Sequence, residues 1–148
     1  MIRSVLVVCV GNICRSPVGE RLLQSLAPQL AVTSAGLGAL VGQPADATAT
    51  EVAAAQGLSL HGHAARQFTP NLGQAADLIL VMEPGHKTRI TRDAPHLSGK
   101  TMLFDHWSGA TGIADPYQRS AEFHRAVFGQ IEAAATAWAK RLNPKAPS

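Results

Sequence analysis

The chain contains near its start the stretch Val5-Leu6-Val7-Val8-Cys9-Val10-Gly11-Asn12-Ile13-Cys14-Arg15-Ser16-Pro17. It opens with a short, fully apolar run rich in valine, which is typical of a buried strand in a parallel sheet. A glycine stops the run, and proline is well suited to the first position of a helix. The stretch therefore predicts a strand, a tight loop and a helix that begins at about Pro17.

The predicted loop has the composition of an anion-binding site. The first N–H groups of a helix lack intrahelical partners and carry the positive end of the helix dipole, so a loop leading into them can surround a phosphate. Gly11 and Asn12 tolerate the left-handed backbone that such a loop needs, and Arg15 adds a planar fork of donors for two phosphate oxygens. Cys9 would lie beneath the anion, where amide dipoles and a guanidinium favour the nucleophilic thiolate.

The spacing Cys-x5-Arg occurs by chance in many chains, so its context between a strand and a helix decides its meaning. In that context Val8-Cys9-x-Gly11-Asn12-x-Cys14-Arg15-Ser16-Pro17 resembles the phosphate loop of the low-molecular-weight protein tyrosine phosphatases. The resemblance runs from Val5 to about Leu142, and residues 34–42 are most similar to the bacterial Wzb type. The alternative interpretation is a structural Cys9 in the core with Arg15 on the surface.

The resemblance implies functions for residues inside and outside the loop. A phosphoryl group leaving tyrosine needs a proton on the departing oxygen. Asp115 of Asp115-Pro116-Tyr117 matches the family's general acid, which later acts as a base. Taken alone, this Asp-Pro could be an ordinary turn. Ser16 would bind the Cys9 sulfur, and Asn12 would hold its backbone through a network with Ser34 and His63. The predicted phosphate-binding residues are Val10, Gly11, Asn12, Ile13, Cys14, Arg15 and Ser16, and the predicted catalytic residues are Cys9, Arg15 and Asp115.

The same resemblance assigns Leu40 and Tyr117 to the walls of a substrate cleft. Eukaryotic relatives carry an aromatic residue near the position of Leu40 and a second one where this chain has Gln118, so eukaryote-like substrate preferences are not expected. Cys14 has two possible interpretations: a disulfide with Cys9 that protects the nucleophile, or a small buried thiol.

Three other functions are suggested by parts of the pattern. His61 and His63 lie two residues apart, but no third ligand accompanies them, so we expect no metal. Gly36, Gly38 and Gly42 do not have dinucleotide-binding spacing, and we expect no cofactor. Arsenate reductase on the same fold needs cysteines outside the loop, and the chain has two cysteines, both within it. A binding module for phosphotyrosine or another anion, without turnover, remains the alternative from a different class.

Length and composition agree with a small enzyme that binds an anion. We expect 148 residues to form one domain, residues 1–148, with a loose tail over 143–148. The net charge of +3 suits an anionic ligand, whereas scattered basic residues and an aromatic content of 5% argue against nucleic acid. No apolar run reaches membrane-spanning length, and the run after Arg3 is too short for a signal peptide. We expect a cytoplasmic protein whose partner, by resemblance, is a tyrosine-phosphorylated protein, namely the tyrosine-rich tail of a bacterial kinase of exopolysaccharide synthesis.

The alternation of strand-like and helix-like segments predicts an α/β fold. We expect a four-stranded parallel sheet with helices on both faces and right-handed crossovers, flavodoxin-like with the strand order 2-1-3-4. Strands are predicted over the apolar run before Cys9 and over residues 30–33, 77–82 and 101–104, and residues 34–44 are predicted as a loop. Helices are predicted over residues 17–26, with Leu22, Leu23 and Leu26 facing the sheet, and over 46–56, 70–75 and 84–92. A last helix buries Phe123, Val127, Ile131, Ala134, Trp138 and Leu142.

Overall fold

The structure is a computed structural model and describes residues 1–142; the predicted tail over 143–148 lies outside the described residues. Four parallel strands form one sheet in the order β2-β1-β3-β4, which confirms the predicted fold class. The strands are β1 (Ser4–Cys9), β2 (Ala31–Gly36), β3 (Leu78–Val81) and β4 (Thr101–Leu103). The helices are α1 (Arg15–Leu26), α2 (Ala47–Ala55), α3 (Pro70–Ala75), α4 (Pro84–Asp93) and α5 (Ala121–Leu142), with a 3₁₀ helix over Pro95–Lys100.

Alternate residues of β1 point into two different cores. Val5 and Val7 belong to the larger core, beneath α1, α2 and α5. Leu6 and Val8 belong to the smaller one, beneath α3, α4 and the 3₁₀ helix. Side chains of a strand alternate between its two faces, so an all-apolar strand is what a sheet covered on both sides requires. Helices thus cover both faces, as predicted.

The structure corrects several local predictions. The helix α1 begins at Arg15 rather than Pro17, which places Pro17 third in its first turn. Leu26 is 41% exposed, because the buried face of α1 ends at Leu23 and the next buried residue is Ala27, just past the helix. The predicted loop from residue 34 begins later, since β2 continues to Gly36, where it pairs with Cys9. The sequence pattern also missed the 3₁₀ helix, which has no repeating apolar face long enough to recognise.

The carboxyl ends of all four strands lie at one edge of the sheet, because every strand pair is parallel. Cys9 ends β1, and the segments after β2, β3 and β4 begin at the same edge. Ligands of open α/β sheets bind in the crevice at this edge. Within residues 1–142, no helix combines the length and the apolar character needed to cross a membrane.

Candidate active site

The phosphate loop, residues 9–15, is shaped by bonds from its carbonyl groups to neighbouring segments. Five consecutive carbonyls point outward and accept a hydrogen bond, while the amides of residues 11–14 donate none within residues 1–142. Those amides are therefore free to face an anion at the start of α1. The outward bonds join Cys9 O to Leu37 N (2.9 Å), Val10 O to Gly38 N (3.0 Å), Gly11 O to Leu40 N (3.1 Å), Asn12 O to His63 Nε2 (2.6 Å) and Ile13 O to Asp46 N (2.8 Å).

Gly36 allows the end of β2 to approach the phosphate loop closely enough for these hydrogen bonds to form. A Cβ atom at position 36 would lie 2.3 Å from the carbonyl oxygen of Val10 and 3.0 Å from Cβ of Asn12. The first distance is far below van der Waals contact, so any larger residue would have to displace the loop backbone. The glycine-containing segment after β2, predicted as a functional loop, thus forms the outer support of the phosphate loop.

Asn12 holds the turn of the loop in a left-handed conformation. Its φ is 58°, and the residue is fully buried. Its side-chain Nδ2 donates to Ser16 Oγ at 2.7 Å and to Ser34 Oγ at 3.0 Å, and its Oδ1 accepts from the backbone N–H of Arg66 at 2.9 Å. A non-glycine residue in this backbone region is strained, and such strain persists where surrounding contacts fix it.

The directions of these hydrogen bonds determine where several protons lie. Ser16 Oγ accepts from Asn12, which leaves its own hydrogen free for Cys9 Sγ at 2.9 Å. A hydroxyl donating to sulfur favours the thiolate. Asn12 O can only accept, so the facing Nε2 of His63 carries a hydrogen. Ser34 Oγ likewise accepts from Asn12 and donates to Glu20 Oε1 at 2.7 Å. The network predicted around Asn12 therefore exists, with Glu20 and Arg66 as members that the sequence did not reveal.

Arg15 is almost completely buried, at 1% exposure, and only part of its guanidinium is engaged. Its Nη1 donates to Glu83 Oε2 at 2.6 Å and to the carbonyl of Ile113 at 2.7 Å. Its Nε has no hydrogen-bond partner within the described chain, and Nη2 lies 3.7 Å from Asp115 Oδ2. One edge of the guanidinium is thus fixed, and the other edge keeps two parallel donors for two oxygens of a ligand.

Sequence reasoning missed Glu83. It lies two residues after the end of β3 and directly before Pro84, so it is at the sheet edge where Cys9 ends β1. A buried arginine needs a carboxylate partner, and this topological position was the signal available for finding it. His86 Nε2 lies 3.3 Å from the same Glu83 oxygen. Burial, together with the nearby Arg15 charge, lowers the pKa of His86 below its usual 6.5.

Asp115, Leu40 and Tyr117 surround the entrance above Cys9 and Arg15. These five residues line one cavity of about 200 Å³. The Asp115 side chain is 48% exposed, and its Oδ1 accepts from the N–H of Tyr117 at 3.1 Å. Leu40 and Tyr117 are exposed to a similar extent. The structure thus brings the predicted nucleophile, arginine, acid and cleft residues to one site.

Cys14 also lines this cavity, and it is a free, buried thiol, as is Cys9. Burial, followed by the negative charges of Asp46 and Asp115, raises the pKa of Cys14 well above its usual range. A thiol that stays protonated attacks other sulfur groups slowly. The reduced state matches the interpretation of Cys14 as a small buried thiol, and the disulfide with Cys9 remains a prediction for oxidising conditions.

Cys9 ends one of the two inner strands of an open parallel sheet. It lies beneath inward-facing amides and an arginine with one free edge, an arrangement that defines a class of proteins that bind tetrahedral oxyanions. A family model described as low molecular weight phosphotyrosine protein phosphatase matches residues 4–148. The chain belongs to this family of hydrolases, which confirms the resemblance inferred from the phosphate loop.

Individual relatives are similar over nearly their whole length. The low molecular weight protein-tyrosine-phosphatase Wzb of Escherichia coli (strain K12) is 54% identical over 143 residues, 97% of each chain. The probable low molecular weight protein-tyrosine-phosphatase AmsI of Erwinia amylovora is 50% identical, over 97% of this chain and 99% of its own. The crystal structure of the tyrosine phosphatase Wzb from Escherichia coli K30 in complex with sulphate has a TM-score of 0.95 at 49% identity, covering 97% of this chain and 100% of that one.

Proposed function

We propose that this tyrosine phosphatase hydrolyses protein phosphotyrosine through a phosphocysteine intermediate on Cys9. The observation that carries the proposal is the unengaged edge of the buried Arg15 guanidinium, which faces the same cavity as Cys9 and the inward-facing amides. Two parallel donors fit two non-bridging oxygens of a phosphoryl group. The sulfur below that group is then in position to attack phosphorus from the side opposite the tyrosine oxygen.

In the first step, the Cys9 thiolate forms a bond to phosphorus while the bond to the tyrosine oxygen breaks. Asp115 donates its proton to that oxygen, so tyrosine leaves as a neutral phenol. The loop amides and Arg15 stabilise the charge on the three remaining oxygens throughout the transfer. They do so without rearrangement, because the outward carbonyl bonds already hold the loop in shape.

In the second step, water attacks the phosphocysteine and Asp115, now ionised, accepts a proton from it. The sulfur departs as a thiolate, and the Ser16 hydroxyl, 2.9 Å from Cys9 Sγ, stabilises that leaving group. Water and the chain's own side chains supply every proton in this scheme. The side chains of Asn12, Ser34 and His63 keep a supporting role, since they shape the loop from behind rather than lining the cavity.

For the substrate, we propose the phosphorylated, tyrosine-rich cytoplasmic tail of an autophosphorylating bacterial kinase of exopolysaccharide synthesis. This proposal rests on the resemblance of residues 34–42 to the Wzb type and on the similarity to relatives named Wzb and AmsI. The cleft supports it in part. Leu40 and Tyr117 give one aliphatic and one aromatic wall, so the site has few means of selecting one ordered flanking sequence, which suits a flexible tail.

Turnover of para-nitrophenyl phosphate by wild type, Cys9→Ser and Cys14→Ser tests the mechanism first. We expect Cys9→Ser to be inactive while still binding inorganic phosphate, and Cys14→Ser to keep most of its activity. Turnover by Cys9→Ser at the wild-type rate would exclude the phosphocysteine, and an inactive wild type would leave a binding module.

Rates on a phosphorylated kinase tail, a generic phosphotyrosyl peptide and its phosphoseryl twin then test the substrate. A short phosphoserine side chain cannot reach the bottom of the cleft, so the seryl twin should be turned over far more slowly. Leu40→Trp should change the preference between the two tyrosyl substrates. Equal rates on the tyrosyl and seryl twins would contradict the argument from cleft depth.

A further inference from the structure

The loop over residues 105–112, which follows β4, is folded around one buried carboxylate. Asp105 is only 6% exposed. Its Oδ2 accepts from the backbone N–H groups of Thr111 at 3.2 Å and Gly112 at 3.0 Å. Its carbonyl oxygen accepts from the N–H groups of Ser108 at 3.0 Å and Ala110 at 2.8 Å. One residue thus supplies the acceptors for both ends of the turn.

This carboxylate is attached to a rigid part of the fold. The residue before it, Phe104, is fully buried and donates its N–H to Val81 O at 2.7 Å, which extends the pairing of β4 with β3. Asp105 therefore connects the sheet, through its carboxylate, to the backbone of Gly112. The described chain offers no hydrogen-bond partner for its other oxygen, Oδ1. A buried acceptor left without a donor is destabilising, so the carboxylate is an unfavourable choice for stability alone.

The far end of this loop leads directly to the acid. Ile113 donates its N–H to Met82 O at 2.7 Å and accepts from Arg15 Nη1 at 2.7 Å through its own carbonyl. Asp115 follows two residues later. The Asp105 carboxylate, the Met82 carbonyl and the Arg15 guanidinium are thus successive attachment points along the chain that carries Asp115 into the cavity.

Backbone strain in the loop indicates that these attachments fix its shape. Ala110 has a φ of 60° and Gly112 a φ of 99°, both in the left-handed region. A Cβ at position 112 would lie 3.1 Å from Cδ of Pro84, so the loop also lies tightly against the start of α4. A strained alanine persists where surrounding contacts determine its conformation. Here the Asp105 carbonyl oxygen holds the amide of Ala110, and the Asp105 carboxylate holds the amides of the next two residues.

We infer that Asp105 is a positioning residue for general acid catalysis: its carboxylate fixes the loop that places Asp115 over the leaving oxygen. The inference rests on the proposed role of Asp115. It predicts a specific kinetic defect, because a displaced acid slows the departure of a poor leaving group and hardly affects a good one. A loop that serves folding alone would produce no such selectivity.

The test compares phenyl phosphate, a poor leaving group, with para-nitrophenyl phosphate, a good one. In Asp105→Ala we expect kcat/KM, which reports the transfer to Cys9 and not the shared hydrolysis step, to fall about 10-fold or more on phenyl phosphate relative to para-nitrophenyl phosphate. Inhibition by inorganic phosphate should stay unchanged, since the phosphate loop does not contact Asp105. Asp105→Asn keeps one oxygen for the two amides and should restore most of the rate. Asp93→Ala removes an exposed aspartate that pairs with Arg92 and serves as the matched control.

A double-mutant cycle with Asp115→Asn separates this inference from the proposed function. If Asp105 acts through Asp115, Asp105→Ala should cause little further loss in the Asp115→Asn background. Additive losses, equal slowing of both substrates by Asp105→Ala, or an Asp105→Asn variant as impaired as Asp105→Ala would each overturn the inference. An Asp115→Asn enzyme without leaving-group selectivity would instead overturn the proposed role of Asp115, and the inference with it. If Asp105→Ala does not fold, Asp105→Ser, whose hydroxyl can replace part of the acceptor, should show the same selectivity in weaker form.

Discussion

The phosphate loop and the acid loop, residues 114–118, meet at one cavity but are held in very different ways. In the phosphate loop, Cys9 and Arg15 are buried, and five consecutive carbonyls are fixed by other segments of the chain. In the acid loop, Asp115 and Tyr117 are nearly half exposed, and the bond between them is local. The difference agrees with the two proposed tasks: charge stabilisation needs a rigid environment, whereas proton delivery needs a side chain that substrate and water can reach.

Replacing Arg15, in the rigid phosphate loop, should have the largest effect on the rate. Arg15→Lys substitutes a point charge for a planar fork, so both parallel contacts to the phosphoryl oxygens are lost. At roughly 10²-fold for each lost donor, we expect kcat/KM to fall about 10⁴-fold. Arg21→Lys is the control, because Arg21 also lies on α1 but binds the carbonyls of Ser59 and His61. A near-normal rate for Arg15→Lys would show that this guanidinium does not contact phosphate.

Removing the acidic proton of Asp115, in the exposed acid loop, should have the next largest effect on the rate. Asp115→Asn should lower kcat/KM by about 10²- to 10⁴-fold on phosphotyrosine and by much less on substrates with good leaving groups. Steady-state kcat/KM values across a leaving-group series measure this effect. Equal slowing of all esters would exclude Asp115 as the proton donor.

Moving the phosphate loop without touching its functional groups should have a smaller effect. In Gly36→Ala the new methyl group would collide with the Val10 carbonyl, and a displacement of about 1 Å costs on the order of 10²-fold in rate. Gly129→Ala is the matched control and should keep full activity, because its new methyl group would have open space around it on the surface of α5. If both variants are equally active, the close packing and hydrogen bonds between residues 36–46 and the phosphate loop are unimportant for catalysis.

The smallest effect concerns stability near Arg15. The pKa of His86 is lowered, by burial and by the neighbouring Arg15 and Arg89, against the opposing pull of Glu83 and Asp115. The unfolded chain therefore takes up a proton near pH 6.5 that the folded chain takes up only at lower pH. The contribution of His86 is fully present above pH 6.5 and is lost as the pH falls through the folded value.

Urea unfolding of wild type and His86→Gln, at pH values above 6.5 and below it, measures this contribution. We expect the free energy of unfolding of wild type to fall more steeply on acidification than that of His86→Gln. His96→Gln, an exposed histidine after α4, should behave like wild type. Parallel pH dependences for wild type and His86→Gln would contradict the assignment.

The sequence was most informative where function depends on neighbours along the chain. Gly11, Asn12 and Arg15 follow an apolar strand, and their chemistry alone predicts an anion site at a helix start. The parallel sheet and its two covered faces also followed from buried apolar runs alternating with helices.

The remaining features depend on contacts between distant segments. The role of Glu83 arises because β3 ends beside β1, and the end of β2 at Gly36 arises from pairing with Cys9. Leu26 fits an apolar helix face by spacing, yet its exposure is decided by where the sheet lies. Such features require the tertiary structure because no local pattern encodes which segment will lie opposite.

We propose that the phosphate loop holds a phosphoryl group directly above Cys9, which then carries it covalently. Rapid acid quenching of wild type during turnover of a phosphotyrosyl peptide, followed by mass spectrometry of the fragment with residues 9–15, tests for this intermediate. We expect a phosphoryl group on Cys9 in wild type and none on Cys14, with no modified fragment in Cys9→Ser. Turnover by wild type with no phosphorylated Cys9 at any quench time, or a phosphoryl group on another residue, would contradict it.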